Sequence, residues 1–287
     1  MSTHQPPLPP APAAAVSGGP YPGYSSPIPV VRTHLGHALA SEWTKIRSVR
    51  STVWTLGVFA LLVFGIGLMV ALAVRGTDAE LSGATALAMG FFGLLLGMVC
   101  VITLGVLTTA SEYGTGMIRT TMTACPTRGR VLAAKSIVFF VLAFVVTLVT
   151  VTVTGLVQTS LLENQGVDSP TAQDWLKATV GISLFIALIG LISLLVGSMI
   201  RHSAGAITLM IGAVLAPLVI ALFMNTSSLE KVQEVLLEYS IPSQMGVFYD
   251  NTLSHSGPSG WEPLWIMLGV TAAAYAAAYA LLRTRDV

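Results

Sequence analysis

The residues of this sequence best suited to chemistry fall in one short polar stretch. Ser111-Glu112-Tyr113 closes an apolar run, Gly114 and Gly116 follow, and Arg119, Arg128, Arg130 and Lys135 lead into the next apolar run. Glu112 is the only acid beside these four cations. A carboxylate so placed can form a salt bridge to Arg119 or Arg128 and fix the shape of the stretch. Hydrolysis or metal chemistry needs more groups than this. The histidines are scattered and form no H-E-x-x-H, and Cys100 and Cys125 have neither C-x-x-C nor metal-ligand spacing, so they read as free thiols in a reducing compartment. No G-x-x-x-x-G-K-[ST] occurs, which excludes a P-loop nucleotide site in this chain. No catalytic residue, metal site or bound cofactor is expected, and there is no basic tract of the kind that binds nucleic acid.

The elements that position this stretch are membrane spans. Of 287 residues 54% are hydrophobic and only 9% charged, with a mean hydropathy of +0.78. A water-soluble fold so poor in charge could not cover its surface with polar groups, whereas lipid can solvate it. About twenty apolar residues in a helix cross the hydrocarbon, and six runs qualify: 52–74, 85–110, 131–162, 175–200, 204–224 and 261–282. Lys135 lies near the start of the third and is expected to snorkel to the interface. Pro217 is expected to kink the fifth. Trp54, Trp175, Trp261 and Trp265 lie near run ends, where indole rings prefer to sit.

The fold class is therefore all-α, a polytopic membrane protein with six transmembrane helices. With the N-terminus inside, eleven of the fourteen Lys and Arg fall on inner segments and ten of the thirteen acids on outer ones. This sorting follows the positive-inside rule and puts both termini in the cytoplasm. Residues 1–30 are rich in Pro, Ala, Gly and Ser and are expected to form a disordered cytoplasmic tail. The six-helix domain occupies 31–287.

Two amphipathic helices flank the spans. Over 35–50, Leu35, Leu39, Trp43 and Ile46 share one face with Lys45, Arg47 and Arg50 interleaved, the pattern of an interfacial helix whose cations face anionic headgroups. In the outer loop 225–260, Leu229, Val232, Val235, Leu236 and Tyr239 recur at helical spacing and stop before Pro242. The inner loop 111–130 is basic. The second and fifth spans hold no ionisable residue, which argues against proton coupling and voltage sensing. Gly93 and Gly97 form a GxxxG suited to close helix packing. With Met98, Met210 and Phe223 they are the candidates for a packing face or a translocation path. Most of the hydroxyls of Thr147, Thr150, Thr152, Thr154 and Thr159 are expected to bond their own helix or to pack rather than line a polar path.

The inner loop, SEYGTGMIRTTMTACPTRGRVLAAK over 111–135, resembles that of bacterial ABC-2 type transporter permeases. Ser41-Glu42-Trp43-Thr44-Lys45-Ile46-Arg47-Ser48 is similar to that family's N-terminal interfacial helix, and Ile241-Pro242-Ser243-Gln244-Met245-Gly246 to the stretch after its outer helix. The ending Arg283-Thr284-Arg285-Asp286-Val287 is also similar, and the likeness spans 35–287.

The resemblance implies an ABC-2 (type V-like exporter) permease fold in a bacterial inner membrane. It implies that the chain pairs with a second permease copy, as a homodimer, and with a separate ATP-binding subunit that holds ATP and Mg. Glu112, Tyr113, Gly116, Arg119, Thr120, Thr121, Arg128 and Arg130 would then form the ATPase-coupling loop, with a short helix within 115–124 ended by Pro126. Glu42, Trp43, Lys45 and Arg47 would mark the interfacial helix, and the second and fifth helices would line the path. The expected cargo is an apolar or amphipathic small molecule or lipid, moved outward. A membrane-embedded regulatory or immunity protein, and an uncoupled channel or carrier, remain the alternatives.

Overall fold

The computed structural model describes residues 34–76, 85–125, 127–163, 167–224, 229–250 and 257–285. The Pro-rich tail, Asp78 and Glu80, the expected proline stop at Pro126, and the final Asp286 and Val287 lie outside the described residues.

Six helices are long and apolar enough to cross a membrane. They are α2 (Arg50–Arg75), α3 (Phe91–Gly114) with a 3₁₀ turn at Ala86–Gly90 before it, α5 (Arg128–Leu162), α7 (Ile182–Ile200) preceded without a break by Lys177–Gly181 and α6 (Ala172–Leu176), α8 (Ser203–Phe223) and α11 (Glu262–Thr284). Each overlaps an expected run. The largest gains are at polar ends, where α3 runs on to Gly114 and α5 starts at Arg128 rather than 131. The 35 residues of α5 span about 50 Å, more than the hydrocarbon, so its ends project. Apart from one isolated bridge, Thr85 to Asp168, no strand occurs among the described residues.

The amphipathic helix α1 (Leu35–Ser48) ends at Val49, whose extended backbone (φ −84°, ψ 112°) is the single residue separating it from α2. Two helices, α7 and α3, form the centre, with α2, α5, α8 and α11 around them. Small residues bring the central pair together. A Cβ at Gly105 would collide with the Gly190 carbonyl, and one at Gly197 would lie 2.9 Å from the Val106 carbonyl and from Thr109 Oγ1. Thr109 donates across the seam to the Leu194 carbonyl at 2.8 Å. This approach uses van der Waals packing and one interhelical hydrogen bond, the two attractions that lipid does not already supply. The GxxxG of α3 faces α2, where Cβ atoms at Gly93 and Gly97 would meet Val63 and Phe59.

At the other end the chain after α9 (Glu230–Glu238) turns back into the bundle. Ser240 caps α10 (Ile241–Gly246), and Pro242 to Tyr249 are all buried. Phe248 packs against Phe185 and Trp261, with ring centroids 5.6 and 6.4 Å away. The expected stretch Ile241–Gly246 is thus an inward-folded plug rather than a surface loop. The face of α9 read as its apolar side stays uncovered in the single chain, with Val232, Val235 and Tyr239 each half exposed.

Candidate functional site

Gly116 sets the geometry of the polar stretch. Its φ of +72° is left-handed, open to glycine at little cost, and it breaks the chain sharply between α3 and α4 (Met117–Ala124). Of α4, Ile118 is buried, while Met117, Arg119, Thr120 and Thr123 are exposed. This short helix is therefore anchored by the buried Ile118, with Thr121 and Met122 half-buried beside it, and presents its other face outward.

Beneath it, four charges from three helices meet, three of them buried and Lys45 partly exposed at the rim. Lys135 of α5 donates to Glu42 Oε2 of α1 and to Glu112 Oε1 of α3, both at 2.8 Å, and to the Thr108 carbonyl at 3.4 Å. All three ammonium protons thus have acceptors. Lys45 of α1 donates to Glu42 Oε1 at 2.8 Å, to Glu112 Oε1 at 3.2 Å and to Thr121 Oγ1 of α4 at 3.3 Å. Two acids and two lysines balance. Glu42, Glu112 and Lys135 are each 3% exposed, so their charges are tenable only as a set. The second oxygen of Glu112, Oε2, is buried with no hydrogen-bond partner among the described residues. An open cleft of about 370 Å³ between α1, α4 and α5 leads to the cluster past His37, Ser41 and Thr121.

Burial pushes the Glu42 carboxyl up, but the attraction of Lys135 and Lys45 outweighs it and holds the group below its ordinary 4.5. For Lys45 burial pushes down, and Glu42 with Glu112 outweighs it, lifting the ammonium above its ordinary 10.5. Both stay charged across the neutral range.

Three expectations change here. Lys135 does not snorkel: two carboxylates from α1 and α3 face it and give a better environment than the interface would. Glu112 pairs with Lys135 and Lys45, not with Arg119 or Arg128. Lys45 turns inward to the acids instead of outward to headgroups, while Trp43 and Arg47 of the same helix remain exposed.

Arginines tie the neighbouring helix ends. Arg128 Nη1 donates to the carbonyls of Leu282 at 2.7 Å and Arg285 at 2.8 Å, and Arg285 Nη1 donates to the Met199 carbonyl at 3.0 Å. Arg201, left-handed at φ 59°, lies 4.9 Å above the Tyr113 ring. Arg128 thereby closes the carboxyl end of α11, a use that spacing alone did not suggest.

The path candidates separate. Gly93 and Gly97 are packing residues against α2, and Met98 is wholly buried. Met210 is 7% exposed and Phe223 81%. The open stripe of α3 is Phe92, Leu96, Val99, Thr103 and Leu107, at spacings of three and four residues.

Residues 38–216 match the family model described as ABC-2 family transporter protein. That segment runs from α1 through most of α8 and contains all four clustered charges. Among curated proteins none matches the chain.

Proposed function

The chain belongs to the ABC-2 family of transporter proteins and is a multi-pass membrane permease of an ABC transporter, and from that premise we propose that it exports an apolar or amphipathic small molecule or lipid, driven by a separate ATP-binding subunit. The observation that carries this reading is the four-charge cluster. It joins α1, α3 and α5 and reaches α4 through Thr121, so a push on the exposed face of α4 meets a rigid ionic junction rather than a loose loop.

In this reading α4 is the docking helix, with Met117, Arg119, Thr120 and Thr123 facing the ATPase. Glu112, Lys135, Glu42 and Lys45 are positioning residues. The sorting of Lys and Arg supports a cytoplasmic placement of α1 and α4, with both termini on that side of a bacterial inner membrane. Two copies would pair so that the α3 stripe Phe92–Leu96–Thr103–Leu107 and α8 face a shared path. Its mixture of apolar side chains with one hydroxyl suits an amphipathic cargo.

Two measurements test this. A single cysteine at Thr123, in a background with Cys100 and Cys125 replaced, should react with an impermeant thiol reagent only from the cytoplasmic side. Reaction from outside would leave no ATPase within reach. Arg119→Glu should abolish ATP-driven efflux and co-purification of the ATPase while the protein still inserts. Efflux that continues without ATP would favour the uncoupled carrier instead.

A further inference from the structure

A second basic feature lies at the same end of the bundle, apart from the charge cluster. The first turn of α5 and the last turns of α11 border a shallow, open cleft of about 700 Å³, lined by Thr127, Arg128, Gly129, Arg130, Tyr279 and Arg283. One wall is the Tyr279 ring, which packs on the α5 backbone so closely that a Cβ at Gly129 would come within 2.7 Å of it. The Arg283 guanidinium stands 5.8 Å from that ring's centre. Arg128 is fixed by its bonds to the carbonyls of Leu282 and Arg285. Three guanidinium groups thus share one concave space, and none of the six lining residues carries a carboxylate. Nothing in the proposed docking of α4 uses them.

We propose that this cleft holds the phosphate of an anionic phospholipid. Guanidinium groups match phosphate oxygens in geometry and charge. The surroundings select a lipid over a soluble anion or a protein partner. Seven residues beyond Arg130, on the same side of α5, the surface becomes Ile137, Val141 and Val145, about half exposed. Along α11 the exposed line from Arg283 continues through Tyr279 and Ala272 to Leu268 and Trp265. A headgroup in the cleft would therefore have its acyl chains on two apolar helix faces within the hydrocarbon. Basic pockets between spanning helices suit such headgroups.

The proposal rests on the membrane placement above and not on the ATPase partner, so it is tested on the purified full-length permease alone. In native mass spectrometry, wild-type protein titrated with phosphatidylglycerol and phosphatidylethanolamine of equal chain length should prefer the anionic lipid by about tenfold. Arg130→Ala with Arg283→Ala should reduce that preference to near unity, and Arg130→Lys with Arg283→Lys should restore part of it. Should the alanine variant fold poorly, salt gives the second arm. Raising it from about 0.1 M to about 1 M shortens the screening length from about 10 Å to about 3 Å and should erode the wild-type preference. Equal retention of both lipids by the wild type would overturn the proposal. So would displacement of the lipid by millimolar inorganic phosphate, which marks a free-anion site, or an alanine variant that keeps the full anionic preference.

Discussion

Near its start, α5 carries Lys135, held 2.8 Å from two carboxylates. Near its end it carries Gln158, whose amide donates to the Gly67 carbonyl of α2 at 3.0 Å beside Thr154 and Tyr249. Both side chains are buried polar groups in an apolar bundle and both bridge α5 to a neighbour. They differ in what failure costs. A neutral amide that loses its partner in a membrane bundle forfeits little, because it finds another. A buried ammonium that loses its partners leaves an uncompensated charge. The two ends of this bundle are therefore closed by different means. One has charges that are intact or broken. The other has an inward-folded plug, neutral contacts that can shift by degrees, and one ion pair at its exposed edge, Lys177 to Asp250 at 3.3 Å.

Breaking the charged end should give the largest effect. Lys135→Met leaves two buried carboxylates, Glu42 and Glu112, sharing the single ammonium of Lys45 and should cost about 3–5 kcal/mol, read as a lower unfolding temperature in detergent and a loss of ATP-driven efflux. Unchanged unfolding would mean the cluster does not join the helices. The seam shared by both ends comes next. Gly105→Val forces a side chain against Gly190 and should cost about 1–3 kcal/mol. Gly65→Val, at a site with nothing within 4 Å, should cost far less, and equal losses would discredit the seam. At the neutral end, Gln158→Leu should cost only about 0.6 kcal/mol; a loss matching that of Lys135→Met would erase the contrast between the ends.

The smallest effect is expected from pH. Glu42 is held below its ordinary 4.5, so its contribution is present above that value and fades only as the pH falls through the lower, folded value. Lys45 is lifted above its ordinary 10.5, so its contribution is present below that and fades only as the pH rises through the higher one. Thermal stability should stay level from about pH 5 to about pH 9, and a step within that window would show that another group governs the junction.

The six spans were legible because lipid imposes a length and a polarity on each helix, and α1 and α9 followed from periodicity, whereas α4 followed from the resemblance of the inner loop, with which Gly114 and Gly116 agree. The pairing of Glu112 was not. Its partners are 67 residues before it and 23 after it, on helices whose relative rotation no local pattern records. Lys135 looked like an interfacial lysine because its position near a span end is the same in both readings. The seam of Gly105, Gly190 and Gly197 escaped notice because its members come from two helices, whereas Gly93 and Gly97 stand together on one. The buried plug at Ile241–Gly246 was hidden by its short length and by the loop residues around it. A polar serine cap before Pro242, followed by Met245 and Phe248, was the available signal.

Val49 has a mechanical corollary. Only that residue leaves helical geometry between α1 and α2, too little chain for the two to slide past one another, so relative motion there amounts to rotation about a pivot. Force delivered to α4 and passed through Lys45 to α1 would arrive at the first span as torque, making the surface helix a crank arm rather than a float.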